Sequence, residues 1–201
     1  WKAASGAGQD ETLWKSTNAK AALDWSADGQ FILYRELHPQ TNYDLWILPL
    51  EGERKPWPWL NTPFVEFTAK FAPDGKWIAY TSNETGRSEI YLQAFVPGAL
   101  AAGGKWQISK NGGSQPQWRH DGRELYFFSG DKMMTVEVTL GAEVKVGTPQ
   151  ELFSPSGIRA VPIAGYAKTG DGQRFLFVTS AEETSLPPFT VVLNWMAELK
   201  K

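Results

Sequence analysis

Two histidines, no cysteine and four Asp-Gly pairs bound the chemistry open to this 201-residue chain. His120 stands in "WRHDGR", a turn sequence in which a polar side chain is solvated, and His38 in the polar stretch "ELHPQTNY". A zinc site needs several nitrogen or sulfur ligands at short spacing, and this composition does not supply them. A serine nucleophile on a strand-to-helix elbow needs flanking glycines, which Ser114 in "NGGSQP" and Ser156 in "SPSG" lack. "GAGQDE" at residues 6–11 begins like a dinucleotide-binding loop but has no third glycine, so it reads as a hairpin loop. Each Asp-Gly pair brings one carboxylate, whereas a calcium loop needs several oxygens at alternating positions. The expectation is a chain that is not an enzyme, with no catalytic residue, cofactor or metal site. Asn83-Glu84-Thr85 matches a glycosylation triplet but falls where a loop is expected, and reads as turn chemistry.

The Asp-Gly pairs matter more for what they position. They fall at Asp28-Gly29, Asp74-Gly75, Asp121-Gly122 and Asp171-Gly172, at spacings of 46, 47 and 50 residues. Each is flanked alike: "LDWSADGQFILY", "KFAPDGKWIAY", "QWRHDGRELYFF" and "AKTGDGQRFLFV". Trp25, Phe71 and Trp118 stand three residues before their Asp, and Lys168 replaces the aromatic in the last copy. Asp-Gly supplies the positive φ of a tight hairpin. A third apolar segment follows in every copy ("DLWILPL", "EIYLQAF", "KMMTVEV", "FTVVLNW"), and a fourth in three of them ("KPWPWL", "GKWQIS", "PQELFS"). Each copy therefore predicts a four-stranded antiparallel meander of about 45–50 residues, the period of a propeller blade. The predicted fold is all-β: a β-propeller fragment with blades over 21–65, 66–113, 114–157 and 158–201. Residues 1–20 form a partial blade, in which Trp1 aligns with Trp46 and "ETLWKS" supplies a fourth strand. "MAELKK" is expected as a helical or frayed tail. Stacked blades bury both faces of each sheet, which accounts for ten Trp and eleven Phe without any ligand.

The run "FAPDGKWIAYTSNETGRSEIYLQAF", with "GGKWQISKNGGSQPQWRHDGRELYFFS" after it, resembles the TolB-like family of WD-type β-propeller repeats. The likeness spans nearly the whole chain and is strongest over residues 21–139. More narrowly, the ending "PPFTVVLNWMAELKK" resembles the C-terminus of propellers that follow bacterial serine/threonine protein kinase domains. That resemblance implies a bacterial extracytoplasmic or periplasmic sensor propeller beyond a membrane helix. The kinase's own glycine-rich loop, "HRD" and "DFG" are not among these residues.

A binding role is the remaining class. Net charge is −2 and no basic stripe marks a nucleic-acid surface. No apolar run reaches the roughly 18–20 residues of a membrane helix. The partner is expected to be a protein or peptide, including a component of the bacterial envelope. An open ring would also expose apolar blade faces and favour self-association. Propellers bind where the second-to-third-strand loops and the blade-to-blade loops gather. In those segments the candidate contacts are His38, Tyr43, Glu66, Arg87 and Gln115. Trp57 and Trp59 lie two apart in "KPWPWL" and so share a face. Pro56 and Pro58 make that strand an edge, and the pair either covers the next blade or forms an exposed aromatic platform. Two alternatives are a TolB-type envelope scaffold and an accessory propeller of a prolyl-oligopeptidase-type serine peptidase. A third, a propeller hydrolase or lyase with a metal in its channel, is disfavoured by the shortage of His and clustered acids.

Overall fold

The computed structural model of the chain describes residues 2, 5, 8–101, 103–154, 165–178 and 189–193. Among these every regular element is a strand. The first sheet runs β1 (Lys20–Trp25), β2 (Phe31–His38), β3 (Asn42–Pro49) and β4 (Trp57–Leu60). The second runs β5 (Glu66–Phe71), β6 (Trp77–Ser82), β7 (Glu89–Ala94) and β8 (Lys105–Gln107). The third contains β9 (Ser114–Trp118), β10 (Glu124–Ser129), β11 (Lys132–Thr139), β12 (Lys145–Val146) and β13 (Gln150–Phe153). The fourth contains β14 (Tyr166–Lys168), β15 (Arg174–Val178) and β16 (Phe189–Leu193). Within each sheet the strands pair antiparallel in chain order, as a meander requires. In the third sheet the expected fourth segment "PQELFS" forms β13, and a short further strand, β12, also pairs with β11. Gly147-Thr148-Pro149 separates the two, and Pro149 has no N–H to offer a ladder.

The four Asp-Gly hairpins are near-copies at atomic detail. The glycine φ values are +76, +67, +71 and +71°. Each glycine N–H donates to the carbonyl three residues back, at 2.9–3.0 Å. Each Asp Oδ1 accepts the N–H two residues on, in Gln30, Lys76, Arg123 and Gln173, at 2.9–3.1 Å. Within each pair the glycine takes the positive φ and the aspartate does not. The aspartate's contribution is its carboxylate, which closes the turn onto its own backbone.

Sheets stack face to face in chain order. Leu33, Leu45, Ile47 and Trp59 of the first sheet meet Phe71, Ile78, Tyr80 and Tyr91 of the second. Ile90, Leu92 and Ile108 of the second meet Trp118, Leu125, Phe127 and Val136 of the third. Tyr126, Phe128 and Met133 of the third meet Tyr166, Phe175 and Phe177 of the fourth. The aromatic three residues before each Asp thus points back at the preceding sheet. Phe71 and Trp118 are 6% and 7% exposed there. Lys168, in the same place, holds its ammonium 5.4 Å from the Tyr126 ring centre. Trp25 is 50% exposed, because among the described residues no sheet precedes its own.

Residues 9–16, expected to include a fourth strand, form none. A fourth strand needs the edge of a third, and residues 1–7 lie largely outside the described residues. Leu13 and Trp14 instead line a depression of about 260 Å³ with Ile32, Tyr34 and Leu48 on the first sheet's other face. Ser156, the loop at 180–188 and the tail "MAELKK" lie outside the described residues.

Candidate functional site

The first strands of neighbouring sheets converge, β1 beside β5 and β5 beside β9. Between them lies a groove of about 240 Å³, walled by residues 21–23, 67–70 and 115–117, with Gly165 and Arg35. Arg35 belongs to β2. Side chains alternate along a strand, so it shares a face with Leu33, the face turned toward the second sheet. Its guanidinium carbon lies 3.7 Å from the centre of the Phe67 ring and 4.9 Å from that of Tyr43. The two rings meet edge to face at 5.5 Å. A cation over aromatic faces gains about 0.5–2 kcal/mol, more as water is excluded. Arg35 Nη1 donates to the Phe67 carbonyl at 3.0 Å, whereas Nε is buried with no partner. Among the described residues no carboxylate pairs with Arg35.

Lys70, the second cation of the groove, is engaged. Its Nζ donates to the Leu23 carbonyl at 2.7 Å and to Asp24 Oδ1 at 3.0 Å. Asp24 Oδ2 accepts the Phe71 N–H at 2.9 Å, so one carboxylate clamps β1 to β5. On the far wall Gln115 sits at φ +57° beside an irregularity in the β9–β10 register. Its N–H donates to Thr68 Oγ1 at 3.3 Å. A non-glycine residue in the left-handed region costs about 1–2 kcal/mol, which the surrounding contacts offset.

Next to Phe67 stands Glu66, only 1% exposed. Its Oε1 accepts the Thr62 hydroxyl at 2.6 Å and the Ser82 hydroxyl at 3.3 Å, while Oε2 is buried without a partner. Burial, aided by the Asp44 and Glu84 charges, raises its pKa to about 7 against the pull of those hydroxyls. Asp44, 0% exposed, is built alike: Oδ2 accepts from Thr41 and Asn61 at 2.7 and 2.9 Å, and Oδ1 has no partner. Burial raises its pKa as well, with Thr41 and the His38 charge pulling it down. These carboxyls tie the blade-to-blade segment 61–66 to the ends of β3 and β6, and so set where Phe67 lies under Arg35.

Of the residues singled out from the sequence, Gln115 walls the groove, Tyr43 stacks on Arg35, and Glu66 is buried one residue from Phe67. His38 stands at the end of β2, where Nδ1 accepts the Gln40 N–H at 3.3 Å. Arg87 is bound within the second sheet, its Nε on Glu89 at 2.7 Å and Nη2 on the Lys110 carbonyl. The structure does not bring these two into the groove. Asn83 of the glycosylation triplet uses its side-chain oxygen to accept the Val65 N–H at 2.9 Å. Trp57 and Trp59 share a face, as the spacing predicts, and that face is turned inward. Trp59 is 0% exposed, edge to face with Tyr80 at 5.6 Å, and Trp57 Nε1 donates to the Ala99 carbonyl at 3.2 Å. The exposed-platform alternative is corrected accordingly, since the second sheet occupies the space a ligand would need. Arg35, Phe67, Lys70 and Gln117 were missed. The available signal was a charged residue inside an otherwise apolar strand, in "FILYRELH" and "EFTAKF".

No protein-family model and no curated protein matches the chain. Solved structures do. TolB from Acinetobacter baumannii matches with a TM-score of 0.60 and 18% identity, over 85% of this chain and 39% of that one. A puromycin-hydrolyzing peptidase from Mycobacterium tuberculosis matches with a TM-score of 0.57 and 19% identity, over 80% of this chain and 28% of that one. XC5397 from Xanthomonas campestris, a gluconolactonase, matches with a TM-score of 0.55 and 15% identity, over 87% of this chain and 60% of that one. The chain thus spans between about a quarter and three fifths of the structures it resembles. These identities establish fold and nothing finer: antiparallel four-stranded sheets, stacked in order, give this chain a β-propeller fold similar to that of TolB.

Proposed function

We propose that the chain is a non-catalytic binding module whose ligand seats in the groove along β1, β5 and β9. What carries the reading is the convergence from separate sheets of Arg35, Lys70, Gln115 and Gln117 on one concavity. Its described lining residues include no carboxylate and no histidine, the groups that serve most often as general acid or base. The finer role is a sensor or scaffold in the bacterial envelope, placed beside a serine/threonine kinase. The resemblance of "PPFTVVLNWMAELKK" to kinase-linked propellers supports that role, together with the likeness to TolB.

A catalytic reading competes, favoured by the likeness to the gluconolactonase and the peptidase. One experiment separates them. The chain has no cysteine, so a single engineered one is a unique handle. A small-molecule fragment screen followed by amide NMR should perturb residues 67–70 and 114–117 first. A bulky maleimide adduct at Ala21→Cys should abolish those responses, and the same adduct at Ala27→Cys, in an Asp-Gly turn, should not. Turnover of a lactone or peptide substrate by the purified chain would refute the non-catalytic reading.

A further inference from the structure

Resting on the groove being the ligand face, we infer that it recognises a carboxylate, and that Arg35 is the group that reads it. The chain as a whole is acidic, at net charge −2, yet the groove's described lining holds two cations and no anion. An anion entering it meets the opposite sign, focused by the low-dielectric walls of Phe67, Leu23 and Pro116.

The two cations differ in what they have left to offer. Lys70 is occupied by Asp24 and the Leu23 carbonyl. Arg35 carries five N–H donors, and among the described residues its one hydrogen bond, to the Phe67 carbonyl, uses Nη1. A guanidinium deprived of much of its water, with no ion-pair partner among the described residues, is an unfavourable arrangement unless something completes it. Here the cation is held in place: Phe67 and Tyr43 fix its plane, and Thr62 and Ser82 fix Glu66 behind Phe67. A planar fork held this way matches the two oxygens of a carboxylate, which accept parallel N–H bonds. The groove's volume, about 240 Å³, suits a small acid or one acidic side chain rather than a large cofactor. Gln115 and Gln117 stand on the opposite wall, where the Gln117 amide donates to the Tyr166 carbonyl of the fourth sheet and so reports on the groove from a fixed position.

The carboxylate can come from a free small acid or from a peptide side chain, and the test separates these sources. The chain is titrated by calorimetry and by NMR of the Gln115 and Gln117 side-chain amides. The probes are glutarate, a blocked Ala-Glu-Asp-Ala peptide, its Ala-Gln-Asn-Ala counterpart and inorganic phosphate. At least one carboxylate probe should bind and shift both amides, at least tenfold more tightly than the Gln/Asn peptide and phosphate. Comparable binding of glutarate and the acidic peptide assigns a free acid, and binding of the acidic peptide alone assigns a chain carboxylate. Arg35→Lys, which keeps the charge and loses the fork, should weaken binding several-fold. Arg35→Gln, checked for retained fold, should remove it. Equal binding of the Gln/Asn peptide with shifts at Gln115 and Gln117 overturns the carboxylate assignment and leaves the groove as the binding face. Phosphate binding as tight as the acids also overturns the carboxylate. Shifts confined to residues outside the groove, or no response to either acid, overturn this inference, and fragment shifts outside the groove overturn the reading it rests on.

Discussion

Replacing Glu66 by Gln should flatten the pH dependence of folding stability between about pH 4.5 and 7. Its side chain is 1% exposed, and burial lifts its pKa from the ordinary 4.5 to about 7. The folded chain therefore holds a proton in that window that the unfolded chain has released. Stability falls as pH rises wherever the folded state binds more protons. The contribution of this group is intact below pH 4.5 and lost progressively up to about pH 7. At about 1.4 kcal/mol per pH unit, a shift of about 2.5 units corresponds to roughly 3.5 kcal/mol. Glu66→Gln removes that slope. The amide oxygen still accepts from Thr62 and Ser82, but its NH2 replaces the partnerless Oε2 at a pH-independent cost of about 1–3 kcal/mol. The informative quantity is thus the difference in slope. Urea unfolding followed by tryptophan emission, at intervals from pH 5 to 8, gives it directly. Parallel stability profiles for the parent and Glu66→Gln would sink the reasoning, because they would mean that Glu66 is ionised and compensated in the fold.

Trp59→Ala should cost about 3–5 kcal/mol in the same unfolding assay, since the indole is fully buried between the first two sheets. Gly75→Ala meets open space but a φ of +67°, so it should lose about 1–2 kcal/mol through backbone strain alone. We propose that the first sheet's outer face mediates self-association, so that Trp25→Ser combined with Trp14→Ser, at positions 50% and 42% exposed, should shift sedimentation toward monomer. An unchanged sedimentation profile would remove the first sheet's outer face from the account of self-association.

Local chemistry carries much of the fold. A residue that takes a positive φ without strain must be glycine, and a carboxylate one residue before it can close the turn. Asp-Gly therefore marks each hairpin wherever it stands, and Asp28, Asp74, Asp121 and Asp171 behave alike despite different neighbours. Strand alternation likewise places Trp57 and Trp59 on one face, but it does not say whether that face meets solvent or another sheet. That is decided by what stacks on it, here Tyr80 of the second sheet.

The repeat and its turn chemistry were legible from residue types alone, because hairpins and meanders are built from contacts close along the chain. The groove was not. Arg35, Phe67 and Gln115 belong to three different sheets, and Phe67 stands 32 residues beyond Arg35 and 48 before Gln115. Their meeting depends on sheet stacking and on a register irregularity in β9, neither of which leaves a periodic mark in the residue order. The tertiary structure alone turned an arginine in an apolar strand from an oddity into a cation held over two rings with no carboxylate beside it among the described residues.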